Sequence, residues 1–220
     1  MKGNDDLHQD AIMQQIFQEM DGVMRRNRET RQRNLRIRTY RVVPLKPKTG
    51  VIEWVLETIP LLEFLDCTHV SVYPRDWKWS ACRQKIQDAA TLDHSKRLRV
   101  YQEVCHHFHP VLRYFFLEYF KDPDTWFARR VSYSRSVAAS SMIGHVLGLG
   151  DRHGQNILLD KRTGEVIHID LGVAFEQVCI CSNFLAKERE NCCLSLKPCL
   201  FDLRETLSMD LGFLDATGRF

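Results

Sequence analysis

Between positions 151 and 170 the sequence sets out four side chains whose types and spacing could do chemistry: Asp151, His153, Asn156 and Asp170. Two carboxylates, an imidazole and an amide supply hard oxygen donors and one group that titrates near neutrality. Such a set suits phosphoryl transfer. The transferring group spreads negative charge in its loose transition state, so oxygen ligands must hold a divalent cation and a carboxylate must orient the attacking hydroxyl. The intervening segment is what can make one site of separated residues. Ile157-Leu158-Leu159, a turn around Lys161-Arg162-Thr163-Gly164, and Val166-Ile167-His168-Ile169 read as a β-hairpin. A hairpin brings its ends together, which places Asp151, His153 and Asn156 at its entrance and Asp170 at its exit.

Blander readings exist for each part. Gly148-x-Gly150 could open a dinucleotide fingerprint, but the third glycine is absent at the required step and the preceding segment reads as helix. Asp151-Arg152-His153 could be a buried ion-pair cluster, and Asp170 a turn former ahead of Gly172. The spacing favours the joint reading. In protein kinases a catalytic Asp precedes a magnesium-binding Asn by five residues, and an Asp-x-Gly beyond the hairpin holds the metal. Asp151 and Asn156 stand five apart here, and Asp170-Leu171-Gly172 takes the second position, although the loop reads Asp-Arg-His where ordinary kinases have His-Arg-Asp.

The elements that must carry this hairpin follow from periodicity. Asp5-Asp6 would cap a helix running to about Arg26, with Leu7, Ile12, Ile16, Phe17, Met20, Val23 and Met24 near helical spacing. Positions 25–41 hold eight arginines, yet 35–40 alternate with the period of a half-exposed strand, so a solvated helix-to-strand connection is expected rather than a nucleic-acid patch. Val51-Ile52-Glu53-Trp54-Val55 reads as a second strand after the turn Pro47-Lys48-Thr49-Gly50. Helices are expected over 61–65, 77–90, parts of 96–120 broken at Pro110, and 123–146 with Asp122 as cap and Pro123 in the first turn. His106, His107 and His109 do not share a helical face and read as structural.

Composition is that of a folded chain: 44% hydrophobic and 27% charged residues over 220 positions exclude collagen-like, disordered and small disulfide-scaffold classes. A net charge of +3 names no partner, neither nucleic acid nor membrane. The sequence shows no stretch long and apolar enough to span a bilayer and no secretory signal, so an intracellular setting with reduced thiols is expected. Cys179, Cys181, Cys192, Cys193 and Cys199 crowd the tail at a spacing that matches no familiar zinc module.

The Asp-Arg-His-x-x-Asn order resembles the catalytic loop of the phosphatidylinositol 3-kinase-related protein kinases. The opening Lys2-Gly3-Asn4-Asp5-Asp6-Leu7-His8-Gln9-Asp10 is similar to that family's Lys-x-x-Asp-Asp-Leu-Arg-Gln-Asp motif, with His8 in place of Arg. His168-Ile169-Asp170-Leu171-Gly172-Val173-Ala174-Phe175-Glu176-Gln177 looks like the metal-binding segment of the family's ataxia-telangiectasia mutated (ATM) branch, Leu171 included. The resemblance runs from Lys2 to about Gln177. It implies an α+β, two-lobed protein-kinase-like fold of the PI3/PI4-kinase type: a truncated N-lobe and hinge over 1–57, a mostly helical C-lobe over 58–177, and a divergent activation-segment region over 178–220.

Residue by residue, the resemblance makes Lys2 the lysine that meets ATP phosphate, and puts Asp10 and Tyr40 deep in the nucleotide pocket. Trp54 would pack on the adenine, Glu53 and Val55 would offer backbone polar contacts, and Ile52, Leu158 and Ile169 would sandwich the base. On sequence alone Trp54 reads more simply as a core aromatic. Asp151 would orient or deprotonate the substrate hydroxyl, His153 would stabilise the transferring phosphate or share the proton, and Asn156 and Asp170 would hold Mg2+, with Mn2+ as an alternative. The resemblance further implies ATP as cofactor, protein substrates with Ser/Thr-Gln sites, DNA-damage sensor complexes as partners, a nuclear location and a homodimeric full-length protein. Strands bearing a phosphate-covering loop would lie before Met1, and the family's activation segment is not found after Gln177. Two other readings stay open: an inositol-lipid kinase, which would want a basic activation segment where 178–200 carries only Lys187, Arg189 and Lys197 against Glu188 and Glu190, and a catalytically inactive binding fragment.

Overall fold

The computed structural model describes residues 2–3 and 7–175; for 2–3 only the backbone is described, and the tail cysteines and Asp5-Asp6 lie outside the described residues. The order of elements is β1 (Lys2–Gly3), α1 (His8–Arg26), α2 (Arg28–Gln32), β2 (Val42–Lys46), β3 (Thr49–Ile52), β4 (Thr58–Pro60), α3 (Leu61–Val72), α4 (Trp79–Asp88), α5 (His94–His107), α6 (Arg113–Tyr119), α7 (Pro123–Val146), β5 (Ile157–Asp160) and β6 (Val166–His168). Two small antiparallel sheets result. One has the order β1-β3-β2 and the other β4-β5-β6.

Helix α1 explains how the first sheet is held. Its buried residues are Asp10, Met13, Gln14, Phe17 and Asp21, a stripe at helical spacing in which three of the five are polar. Each polar member takes a backbone N–H from another segment. Asp21 Oδ1 accepts from Ile37 N at 3.2 Å, Gln14 Oε1 from Tyr40 N at 3.1 Å, and Asp10 Oδ1 from Leu171 N at 2.7 Å. These bonds correct the strand expected over 35–40. Its residue types alternate as a strand's do, but the amides of Ile37 and Tyr40 pair with helix side chains instead of a neighbouring strand, and β2 begins only at Val42. Strand β3 is likewise shorter than expected, ending at Ile52, where Glu53 N turns to Arg41 O at 2.8 Å. Gly50 is required at its centre, since a Cβ there would lie 2.7 Å from both Leu7 Cδ1 and Val43 O.

In the larger part, the long helix spans Pro123–Val146 as expected, with the Asp122 carboxylate accepting from Thr125 N at 3.0 Å. Helix α3 runs well past 65, and α4 is shorter than the expected 77–90 because Ala89–Thr91 tightens into a 3-10 turn. The aromatic run gathers into one core: Leu61, Phe64, Leu112, Phe115, Phe116, Phe120 and Tyr133 pack against Ile157, Leu159 and Val166 of the hairpin. Phe64 and Phe116 each meet Phe115 edge-on, at 5.4 and 5.3 Å between ring centroids. A second core joins Met13, Phe17 and Ile37 to Ala139 of α7 and to Leu171 and Ala174 beyond the hairpin. The hairpin exit is thereby clamped between α1 and α7.

Of the three histidines, His107 and His109 make structural contacts, as does His69, while His106 is exposed. His107 stacks on Trp77 at 4.2 Å, while His109 Nδ1 and His69 Nε2 both approach Asp76 Oδ2, at 2.8 and 3.2 Å. No group of three or more His, Cys, Asp or Glu among the described residues is arranged to hold a metal, and no described helix is long and apolar enough to cross a membrane.

Candidate active site

Strands β5 and β6 pair Ile157 with His168, Leu158 with Ile167 and Leu159 with Val166. Pairing continues one step beyond the strands, where Ile169 N donates to Asn156 O at 3.0 Å. Asn156 and Asp170 therefore reach the same mouth. Both flanking carboxylates sit on left-handed backbone, Asp151 at φ 52° and Asp170 at φ 54°, a conformation that aspartate tolerates better than most residues. At Asp170 the sharp turn leaves its carboxylate exposed while Leu171, the next residue, is fully enclosed.

The entry loop alternates. Asp151 and His153 are exposed, whereas Arg152 between them is buried. The Arg152 guanidinium donates to Gly150 O and Ile169 O, both at 2.7 Å, to Asn156 O at 3.4 Å, and to Asp170 O. It stitches the entrance to the exit through carbonyls, so the blander reading of Asp151-Arg152-His153 as a buried ion-pair cluster gives way to a buried arginine between two exposed neighbours. Sequence reasoning saw Arg152 only as a member of that cluster, because three polar residues in a row carry no sign of which one is buried.

Asn156 is buried, and its Nδ2 donates to Asp151 O at 3.1 Å and to Asp151 Oδ2 at 3.4 Å. With the amide nitrogen so committed, the amide oxygen is the atom left to face a cation. His153 Nε2 lies 3.6 Å from Asp151 Oδ1, and His153 Nδ1 accepts from Gln155 N at 3.3 Å. A donor at Nδ1 puts the neutral ring's proton on Nε2, the nitrogen turned toward Asp151. Behind the mouth, Tyr40 has its hydroxyl pKa pushed up to about 12 by burial and by the Asp10 charge, so it stays protonated. His168 is held neutral: burial, reinforced by the Arg152 charge, lowers its pKa to about 3.

The structure thus brings together Asp151, His153, Asn156 and Asp170, with Asp10 and Tyr40 directly behind them. Lys2 lies on β1 opposite Gly50, but its side chain is outside the described residues. Trp54 is 85% exposed, which overturns the core-aromatic reading and leaves its ring free for a planar ligand. Ile52, Val55, Leu158 and Ile169 are half-buried, and Glu53 folds back so that its carboxylate accepts from Arg41 N at 2.9 Å. No described contact joins Trp54 to Leu158 or Ile169.

The donor set fits magnesium. That ion keeps several waters and takes one or two protein oxygens plus substrate phosphates, and Asn156 and Asp170 offer such a pair at an open edge. The depression lined by Cys67, Ser71, Tyr114 and Leu117 lies apart from the mouth, between α3 and α6.

Comparison with known proteins shows the family. The chain is 58% identical over 175 residues to "Serine/threonine-protein kinase tel1" of Schizosaccharomyces pombe, covering 80% of this chain and 6% of that protein. It is 47% identical over 181 residues to "Serine-protein kinase ATM" of Sus scrofa, again covering 80% of this chain and 6% of the relative. Among solved structures, "FAT and kinase domain of CtTel1" superposes with a TM-score of 0.72 at 59% identity, over 80% of this chain and 12% of that one. The chain therefore spans a small fraction of the length of these relatives. The family described as "Phosphatidylinositol 3- and 4-kinase" matches residues 1–209, past the point near Gln177 where the motif resemblance stops, and the chain belongs to that family.

Proposed function

We propose that this chain is the catalytic part of an ATP- and Mg2+-dependent serine/threonine protein kinase of the ATM type. The observation that carries the reading is the convergence of Asp151, Asn156 and Asp170 on one hairpin mouth, with Asn156 tied to Asp151. Residues 1–57 form the nucleotide-carrying lobe and hinge, 58–177 the catalytic lobe, and 178–220 the activation-segment region. Lys2 meets the phosphates as a point charge. Ile52, Leu158 and Ile169 enclose the adenine, Trp54 lies on it, and the backbone at Glu53 and Val55 reads its edge. Asp10 and Tyr40 form the floor.

Asn156 and Asp170 would hold the cation, which supplies neutralisation of phosphate charge when bound. Asp151, on its left-handed turn, orients the substrate hydroxyl and receives its proton. His153 presents an Nε2–H toward the same place and steadies the transferring group. Mn2+ is the alternative ion. By likeness to the Tel1 and ATM relatives, substrates are proteins with Ser/Thr-Gln sites, partners are DNA-damage sensor complexes, and the protein works in the nucleus. A homodimeric full-length form is supported by the relative solved as "Complete CtTel1 dimer with C2 symmetry".

Because the matching family description names phosphatidylinositol, a lipid kinase is the second reading. Radiolabelled ATP offered to the full-length protein with a Ser-Gln peptide or with phosphatidylinositol vesicles separates the two. Magnesium-dependent label on the peptide is expected. Label on the lipid alone would transfer the assignment to the second reading, and label on neither would sink both.

A further inference from the structure

Arg38 was read from sequence as one of several solvated arginines, yet the structure turns it inward. Its Nη1 lies 3.3 Å from Asp160 Oδ2 and 3.5 Å from Glu165 Oε2, at the turn end of the hairpin. Asp160 is fully buried, and its two oxygens are divided between tasks. Oδ1 accepts from Arg162 N at 2.8 Å and from Thr163 N at 2.9 Å, closing the turn. No hydrogen bond reaches Oδ2 among the described residues, so the Arg38 guanidinium is the charge that faces it. Glu165 is itself held by Thr163 Oγ1 at 3.0 Å.

The segment that carries Arg38 is rigidly set. Ile37 N and Tyr40 N, on either side of it, donate to buried Asp21 and Gln14 of α1. The same helix reaches the other end of the hairpin through Asp10 and Leu171 N. The hairpin is therefore gripped twice from α1: at its mouth by Asp10, and at its turn by Arg38 through the connection that α1 fixes. Beside the pairing with β4 and the core packing, these two grips tie both ends of the hairpin to one helix.

We propose that Arg38 is a positioning residue: paired with Asp160, it sets the tilt of the hairpin relative to α1 and so aims Asn156 and Asp170 at the nucleotide. This rests on the kinase reading for its functional half. The geometric half stands alone, since a tilt of the hairpin moves the Ile169 and Leu171 amides whatever the reaction. A displacement of about 1 Å can cost up to a hundredfold in rate.

The test uses the full-length protein with Arg38→Met, Asp160→Asn and the double variant. Asp160→Asn keeps an acceptor for the turn amides and puts an uncharged N–H donor where Arg38 meets a carboxylate oxygen. Each single variant should lower kcat/KM about tenfold to hundredfold, mainly through KM for ATP. The double variant should be no worse than either, because the pair acts as a unit. Hydrogen exchange at Ile169 and Leu171 should accelerate in all three. A purely local role would accelerate exchange only at 161–165 and leave KM unchanged, and that result, or additive effects of the two substitutions, would overturn the proposal. If the parent shows no phosphoryl transfer, the kinase reading fails. The exchange rates at Ile169 and Leu171 then decide the positioning role by themselves.

Discussion

At the residue scale, the mouth of the hairpin separates groups by exposure. Asp151, His153 and Asp170 face solvent, while Arg152 and the amide nitrogen of buried Asn156 fix the loop that carries them. The motif spacing made the exposed set legible, because a hairpin of known length dictates which residues meet at its base. Arg152 was not legible, because its partners are carbonyl oxygens, and every residue has one. Trp54 was ambiguous for a similar reason: an aromatic is read as core until its surroundings are known. Its exposure gives a prediction. Trp54→Ala should raise KM for ATP about tenfold, on the scale of a lost aromatic stacking contact, while leaving the melting temperature unchanged. A fall in melting temperature with unaltered KM would return Trp54 to a packing role.

At the element scale, the long helix was the easiest to read, whereas the short α2, capped by the Asn27 side chain, was missed. The long helix begins at Pro123 as expected because Asp122 and Pro123 each suit one position only. The connection over 35–41 misled because its residue types alternate as along a strand, whereas the buried residues are Ile37 and Tyr40, three apart, and their amides bond to α1. Strand β4 was missed because three residues, Thr58–Pro60, carry too little periodicity to register. Capping also gives a pH signature. Asp93 accepts from Ser95 Oγ at 2.7 Å and Lys96 N at 2.9 Å at the start of α5, which lowers its carboxyl from the usual 3.8 to about 2. A depressed carboxylate stabilises fully above the unfolded value and loses that contribution as pH falls toward the folded one. Thermal melts should therefore show the advantage of the parent over Asp93→Asn at pH 6 shrinking as pH drops from about 4 toward 2. An advantage constant across that range would mean the charge has no part in the cap.

At the scale of the whole molecule, two hydrophobic cores meet at the hairpin: one packs its strands against α3, α6 and α7, and the other locks its exit between α1 and α7. The two-lobed kinase-like fold was legible from two distant motifs agreeing on one family, whereas the links between parts were not. Asp10 with Leu171 and Arg38 with Asp160 are separated by more than a hundred residues and follow from no local pattern. The central claim is that one mouth divides two duties, cation binding at Asp170 and handling of the hydroxyl at Asp151. The most direct measurement compares MgATP affinity and single-turnover phosphoryl transfer in the full-length protein for the parent, Asp151→Asn and Asp170→Ala. The account predicts that Asp151→Asn keeps magnesium-dependent ATP binding but loses about 10²–10⁴-fold in transfer, while Asp170→Ala loses the magnesium dependence of binding itself. Unchanged magnesium-dependent binding and turnover in Asp170→Ala would contradict it.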